Sequence, residues 1–379
     1  MESYFSAAEL TRYNRHLLLP GFGVEAQEKL KAARVLVVGS GGLGSPLLLY
    51  LAAAGVGTLG IVDFDVVDDS NLQRQVLYGQ QDIGQLKVNA AKSRLEALNP
   101  HINIRTYPVQ LNRDNALDII RDYEVVADGT DNFPTRYLVN DACVLLGKTN
   151  VYAAVFRFEG QVSVFNHTDK TGVPGPNYRD LYPTPPEPGL VPSCAEGGVL
   201  GVLPGIIGSL QASEVIKVVT GLGEPLSGRL FLFDAMSFET RTIKFKRRED
   251  NPLNGKSPVI TQLIDYELFC GLKYSENPVK EITAQELLDW QARGEAFQLI
   301  DVREPREYQA TNIGAELIPL NTVTANTARF SRNVKVVVHC HSGLRSAQAI
   351  RDLENQFGFD NLYNLKGGIL AYLAKQAKN

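Results

Sequence analysis

Cysteine is scarce in this chain of 379 residues. There are four, Cys143, Cys194, Cys270 and Cys340, and the nearest two stand 51 positions apart, with no CxxC pair. That density excludes a disulfide framework, and the spacing excludes a thiolate zinc site. It fits thiols kept reduced in a cytoplasmic compartment. Neither sign of charge dominates: 38 Lys and Arg face 42 Asp and Glu, a formal net charge of −4. Nucleic acid and anionic membranes are therefore not expected partners. No run approaches the roughly 18 apolar residues of a membrane span. The opening MESYFSAAELTRYNRH lacks the basic-then-apolar order of a secretory signal. What is present is 44% hydrophobic and 21% charged, the composition of a folded chain long enough for about two or three domains.

The elements follow an α/β alternation. Residues 34–38 (RVLVV) form a buried-strand run that meets Gly39-Ser40-Gly41-Gly42-Leu43-Gly44. Ser45 as N-cap and Pro46 in the first turn open a helix. A second strand, Thr58 to Val62, ends in Asp63-Phe64-Asp65. Together these make a βαβ unit. A helix over 87–98, a strand at 102–107, a helix near 112–121 and a strand at 124–128 imply a parallel sheet covered on both faces. Strands follow at 150–156 and 160–166. A crossing loop from Pro174 to Pro192 carries seven prolines, too many for a helix or central strand. A helix over 198–220 and strands at 229–234 and 241–247 complete a first domain, 1–250. Residues 251–279, polar and broken by Pro252, Gly255, Pro258 and Pro278, read as a linker. A second α/β domain covers 280–379.

The glycine turn is the first candidate site. Gly39, Gly41 and Gly44 let the backbone close on a phosphate at a helix N-terminus. Asp63 sits where an acid can accept ribose hydroxyls. Arg74 and Lys87 come next, and Arg12 and Arg15 lie near the N-terminus. A dinucleotide reader has little use for this cation set. A triphosphate, with about four charges and a pyrophosphate to release, does need it. Asp131, just past the strand at 124–128, is placed to hold Mg²⁺.

Residues from about 10 to 247 resemble the MoeB/ThiF family of ubiquitin-activating-like adenylyltransferases. The stretches that carry this are RYNRHLLLPGFG, VLVVGSGGLGSPLLLYLAAAGVGTLGIVDFDVVDDSNLQRQVLY, DIGQLK, DGTDNFPTRYLVND and VPSCAEGGVLGVLPGIIGSLQASEVIK. The resemblance implies a Rossmann-like domain with a mixed sheet. Gly42, Asp63, Ser70, Asn71, Leu72, Gln73, Arg74, Lys87, Asp131 and Asn132 would bind ATP and its magnesium. Arg15 would reach the triphosphate of a neighbouring subunit, which implies a homodimer. The implied reaction adenylates the C-terminal Gly-Gly carboxylate of a ubiquitin-like sulfur carrier. Carriers serving molybdopterin, thiamine, cysteine or tRNA thiolation end alike, so the motifs name the reaction rather than the pathway. One departure stands out. Where the family often carries two zinc-binding CxxC pairs, this chain has Asn177-Tyr178-Arg179-Asp180 and Asn251-Pro252-Leu253-Asn254. Asn177, Asp180, Asn251 and Asn254 are hard, weak substitutes for thiolates. No zinc is expected, and packing and hydrogen bonds must hold the proline-rich loop.

Two cysteines are chemical candidates. Cys194 lies between that loop and a helix, where a thiolate is favoured; in the resembled family this position can bond covalently to the carrier. Cys340 follows the strand Val336-Val337-Val338-His339 and opens Cys340-His341-Ser342-Gly343-Leu344-Arg345 before another helix. Such a turn aims backbone N–H groups at its centre, and the helix dipole and Arg345 favour an anionic sulfur there. His339 reads as structural, and His341 as tuning access. Residues 280–379 resemble a single rhodanese domain through IDVREPREY at 300–308, the CHSGLRS loop and Leu365-Lys366-Gly367-Gly368-Ile369. A loop of six residues suits sulfur transfer; related phosphatases use one more. Asn312-Ile313-Gly314-Ala315 replaces the family's usual His-Ile-Pro-Gly, which implies altered local packing only. A cysteine desulfurase or thiosulfate would load Cys340. The readings weighed against this are a nicotinamide- or flavin-dependent oxidoreductase, which shares only the glycine pattern, and a non-catalytic carrier-binding scaffold.

Overall fold

The computed structural model describes residues 4–169, 172–186, 197–271 and 279–376. They divide into two compact units, Met1–Cys270 and Gly271–Asn379. In the first unit the strands are β1 (Arg34–Val38), β2 (Thr58–Val62), β3 (Asn103–Tyr107), β4 (Val125–Asp128), β5 (Thr149–Phe156), β6 (Glu159–Phe165), β7 (Arg229–Asp234) and β8 (Thr240–Lys244). Its helices are α1 (Ala7–Leu17), α2 (Gly23–Ala32), α3 (Gly44–Ala54), α4 (Lys87–Leu98), α5 (Ala116–Arg121), α6 (Phe133–Leu145), α7 (Tyr178–Leu181), α8 (Leu203–Thr220) and α9 (Tyr266–Phe269). The second unit holds β9 (Glu281–Ile282), α10 (Ala284–Ala292), β10 (Phe297–Asp301), α11 (Pro305–Ala310), β11 (Glu316–Leu317), β12 (Lys335–His339), α12 (Leu344–Phe357), β13 (Leu362–Leu365) and α13 (Gly368–Gln376).

The first unit is one eight-stranded sheet in the order β3-β2-β1-β4-β5-β6-β7-β8. Its first five strands are parallel, and β6, β7 and β8 run antiparallel. The alternation up to residue 149 dictated the parallel half, because each helix must cross a sheet face before the next strand. Order reverses at β1, flanked by β2 and β4. Val38 stands level with Val62 of β2 and with Asp128 of β4. The loops after β1, β2 and β4 therefore leave one sheet edge side by side, at the switch point where α/β sheets place ligands. Val35, Val37, Leu47, Leu51, Leu59, Ile61 and Val215 pack one face, and Leu36, Val126, Tyr137, Leu138 and Tyr152 the other. The second unit is a parallel sheet of five strands, β11-β10-β12-β13-β9. Its central strand, β12, buries Val336, Val337 and Val338 completely.

Several boundaries differ from the sequence reading. The helix expected from 198 begins at Leu203, because Gly197, Gly198 and Gly201 precede it and Pro204 suits a first turn. The helix near 112–121 shortens to α5, since the side chains of Asn112 and Asn115 bond backbone N–H groups there and close a turn instead. Residues 251–270 are not a linker. Tyr266 and Cys270 join the buried core of the first unit, and the Tyr266 hydroxyl donates to Asp141 of α6 at 2.9 Å. No helix among the described residues is long and apolar enough to cross a membrane.

Candidate functional site

The glycine turn is held by atoms a larger residue would displace. A Cβ on Gly44 would lie 2.0 Å from the Gly39 carbonyl oxygen, and one on Gly39 would lie 3.2 Å from the Gly129 oxygen. Gly39 also takes φ +87°, the left-handed region that favours glycine. Contrary to the sequence reading, Ser45 does not cap α3. The N-cap is Leu43, whose side chain has no acceptor, and Ser45 lies inside the first turn. No side chain caps the helix start; the Ser45 N–H donates to the Gly41 carbonyl within the turn at 2.9 Å. Asp63 braces the turn: its Oδ2 accepts from the Ser40 N–H and hydroxyl, both at 2.8 Å. Tyr78, buried, donates to Ser40 Oγ at 2.7 Å.

Charged groups gather around this turn. The Arg74 side chain passes the position a Gly42 Cβ would take, at 3.8 Å, and its guanidinium donates to the Ser70 carbonyl at 3.0 Å. A short 3₁₀ turn, Asp69–Asn71, is capped by Asp68 and presents Ser70 and Asn71. Gln73 packs on Gly201 just before α8. Lys87, the first residue of α4, is buried with its ammonium 2.8 Å from Asp65. Asp131 is exposed in the loop after β4, and Asn132 caps α6 through the Thr135 N–H. Asp128 at the end of β4 is buried; its Oδ1 accepts from Thr130, and its Oδ2 has no partner among the described residues. Burial pushes its carboxyl above the usual carboxylate range. An exposed carboxylate beside an unsatisfied buried one is a hard-oxygen donor set, which suits Mg²⁺. Arg15 lies exposed in the last turn of α1, and Arg12 donates to the Leu98 carbonyl at 2.8 Å.

The four residues that stand where zinc-binding cysteines were expected do come together. Asn177 Nδ2 donates to Asn254 Oδ1 at 3.2 Å, and Asn251 Nδ2 to Asp180 Oδ1 at 2.6 Å. Asp180 also accepts the N–H groups of Asn177 and Arg248 at 2.7 and 2.9 Å. Beside them Arg179 makes a bidentate pair with Asp141 at 2.8 and 2.7 Å, both side chains buried. The side-chain oxygens are already committed to N–H donors and are hard ligands. The set does not fit zinc.

The second unit builds its site at the end of β12. Cys340 is fully buried, and the Gly343 N–H donates to its sulfur at 3.1 Å. Gly343 takes φ +98° and heads α12 without a side-chain cap. Gly368 closes the loop from beneath: a Cβ there would meet the His341 and Cys340 carbonyl oxygens at 2.4 and 2.6 Å. The Ile369 N–H donates to the Cys340 oxygen at 2.8 Å, which explains the Gly367-Gly368 pair. Arg345 is engaged by Glu307 of α11 through two bonds of 2.7 Å, and these hold the Glu307 carboxyl down to about 2. His339 is buried with Nε2 3.8 Å from Asp301, and burial pushes its ring below the usual imidazole range. Asp301 is itself clasped by Arg303. In the 312–315 segment Asn312 closes a turn onto Gly314, and the Tyr308 hydroxyl donates to the Ala315 carbonyl. Cys143 and Cys270 are core thiols; burial pushes the latter up to about 12. Cys194 lies outside the described residues.

Sequence reasoning missed Asp65, Ser40, Tyr78 and Glu307. Asp65 had a signal, a second acid two residues after Asp63 in the segment that follows β2.

Two domain classes are defined by this architecture, an adenylation fold with a uncapped glycine turn and a rhodanese fold with a cysteine loop. The ThiF family matches residues 13–254, and the Rhodanese-like domain matches residues 283–375. The chain belongs to the ThiF family and carries a C-terminal rhodanese domain. It is 48% identical over 381 residues, covering 99% of this chain and 95% of the relative, to the "Probable adenylyltransferase/sulfurtransferase MoeZ" of Mycobacterium tuberculosis. It is 41% identical over 402 residues, 98% of this chain and 86% of the relative, to the "Adenylyltransferase and sulfurtransferase MOCS3" of Mus musculus. It is 54% identical over 265 residues, 70% of this chain and 98% of the relative, to the "Sulfur carrier protein adenylyltransferase" of Thermus thermophilus. Among solved structures, E. coli MccB with MccA-N7isoASN shares the fold, with TM-score 0.57 and 21% identity over 66% of this chain and 75% of that one. This protein is an adenylyltransferase and sulfurtransferase.

Proposed function

We propose that the first unit uses ATP to adenylate the C-terminal Gly-Gly carboxylate of a ubiquitin-like sulfur carrier, and that Cys340 then supplies the sulfur. The observation that carries this is a cation-lined, uncapped glycine turn in the same chain as a buried cysteine cradled by backbone N–H. The carboxylate oxygen attacks the α-phosphorus of ATP, and pyrophosphate leaves with the bonding electrons. The N–H groups at the start of α3 and the glycines Gly39, Gly41, Gly42 and Gly44 let the backbone lie against the phosphates, while Asp63 fixes the turn's shape. Arg74 and Lys87 neutralise the triphosphate, with Asp65 holding Lys87 in place until the nucleotide arrives. Ser70, Asn71, Leu72, Gln73 and Asn132 line the nucleotide. Asp131, with Asp128 behind it, would hold Mg²⁺, which when bound neutralises phosphate charge. Positioning and charge complementarity, rather than acid–base chemistry, carry this half.

In the second half, the Cys340 thiolate takes the outer sulfur of a thiosulfate- or persulfide-type donor, such as a cysteine desulfurase, whose remaining part leaves with the electron pair. The terminal persulfide sulfur attacks the acyl-adenylate carbon, and AMP departs. A second thiolate, Cys194 or another thiol, attacks the Cys340 sulfur of the acyl disulfide and releases the thiocarboxylate. The resulting disulfide is reset by an external dithiol reductant. Splitting one substitution into such steps lowers each barrier. We infer a homodimer in which Arg15 reaches the partner's triphosphate; exposed Leu18, Leu19 and Tyr50 near α1 and α3 are the apolar surface it would cover. We infer, too, that the network of Asn177, Asp180, Asn251 and Asn254 closes the first unit without zinc. The test is a reaction of the chain with ATP, thiosulfate and a carrier ending in Gly-Gly. Thiocarboxylate should form only when all three are present; thiocarboxylate without ATP would refute the scheme.

A further inference from the structure

One side chain of the stretch SNLQRQ at 70–75 is not used by the scheme above. Gln75 follows Arg74 and is only 5% exposed. Its main chain is held on both sides: its N–H donates to the Asn71 carbonyl at 2.9 Å, and its carbonyl accepts from the Tyr78 N–H at 3.2 Å. Its carboxamide is not held. Among the described residues Oε1 is buried without a partner, and Nε2 makes no hydrogen bond. A buried amide in that state costs the fold free energy that an apolar side chain of the same size would not. The amide borders the glycine turn. A Cβ built on Gly41 would lie 3.4 Å from Gln75 Nε2 and 3.9 Å from its Cδ. Among the described residues, no other atom outside residues 40–42 comes within 4 Å of that point. Gly41 is the second glycine of the Gly39-x-Gly41-x-x-Gly44 pattern, the one whose missing side chain lets a phosphate approach the backbone. The space open to a phosphate there is thus within hydrogen-bonding reach of the Gln75 amide. At Gly42 the corresponding space is bordered by Pro204 and by the Arg74 side chain. Adjacent residues of one motif serve adjacent glycines.

We propose that Gln75 is a further nucleotide-binding residue, whose Nε2 donates to a phosphate oxygen of ATP lying against Gly41. This rests on the glycine turn as the nucleotide site. A carboxamide brings two N–H donors and no net charge. It therefore orients one phosphate oxygen without adding to the cations of Arg74 and Lys87. The main-chain bonds to Asn71 and Tyr78 fix where that donor stands before the nucleotide arrives, so little ordering is left to be done on binding. Adenosine, which lacks the oxygen, gains nothing from Gln75.

The experiment is equilibrium dialysis of the full chain against labelled ATP with Mg²⁺, and separately against labelled adenosine. Gln75→Met keeps the length of the side chain and removes the amide. It should weaken ATP by about ten- to a hundredfold, the size of one hydrogen bond to a charged group, and leave adenosine unchanged. Gln75→Glu has nearly the same shape but presents a negative acceptor in place of the donor. It should weaken ATP further, and serves if the methionine variant does not fold. The melting temperature of the nucleotide-free Gln75→Met chain should not fall, because no side-chain hydrogen bond is lost. ATP binding at wild-type strength in these variants would overturn the proposal. Equal weakening of ATP and adenosine would overturn it as well, since a disturbed pocket rather than a lost phosphate contact gives that pattern. Failure of the nucleotide reading looks different: the wild-type chain itself would bind neither ligand, and the proposal would fall with it.

Discussion

The two reactive regions of this chain share one device and use it in opposite ways. Each ends a buried parallel strand, β1 or β12, in a tight glycine turn, and each turn opens a helix with no side-chain cap. Around the turn after β1 the partners are charged and partly open to water, as with Arg74, Asp63 and the exposed Asp131. Around the turn after β12 the reactive atom is fully buried, and the nearby cation, Arg345, is paired with Glu307. On the proposed assignments, the difference follows from what each would hold. A soluble polyanion that arrives and leaves needs exposed charge that exchanges with water. A reactive sulfur that must not be lost to solvent thiols needs backbone donors and burial.

That contrast can be broken experimentally. The largest effect expected is in Cys340→Ala, which should abolish thiocyanate release from thiosulfate and cyanide while leaving ATP–pyrophosphate exchange unchanged. Asp131→Ala or Arg74→Ala should do the reverse, costing ~10²-fold or more in pyrophosphate exchange, about 2.7 kcal/mol of barrier, with thiocyanate release intact. Gly44→Ala forces a Cβ to within 2.0 Å of the Gly39 oxygen. It should destabilise the first unit by about 1–3 kcal/mol, lowering its melting transition and leaving that of the second unit in place. The smallest effect concerns acid stability. Glu307 is held down to about 2 in the folded chain, against ~4.3 for a free glutamate. Its contribution is present above the unfolded value and is lost as pH falls toward 2. Glu307→Gln should therefore lower the second unit's stability slightly near neutrality and flatten the acid limb of its unfolding curve below pH ~4.3, the two curves converging as pH falls toward 2.

Much of the fold was legible because period and punctuation agreed. RVLVV, then glycines, then an apolar helix admits few structures, and the strands at 34–38 and 58–62 emerge with those bounds. What was not legible depended on contacts distant in sequence. The segment 251–270 looks like a linker by its prolines and polarity. Its place in the first unit rests on Tyr266 reaching Asp141, 125 positions away. Asp141 also holds Arg179, and no local pattern announces that pair. The same holds for the site. The glycines, Lys87 and Cys340 are visible as motifs, but the engagement of Arg345 by Glu307 is not, since an arginine five residues after a cysteine reads as a ligand for the sulfur. The meeting of Asn177 with Asn254 was expected as a position, while the hydrogen bonds that replace a metal there became evident only in three dimensions.

The central claim is that one chain activates a carboxylate and delivers sulfur to it. The direct measurement follows the outer sulfur of isotope-labelled thiosulfate into a carrier peptide ending in Gly-Gly, by mass spectrometry of that peptide. The label should replace one C-terminal oxygen only with ATP present and only when Cys340 is intact. Label reaching the carrier in Cys340→Ala, or in the absence of ATP, would contradict the account.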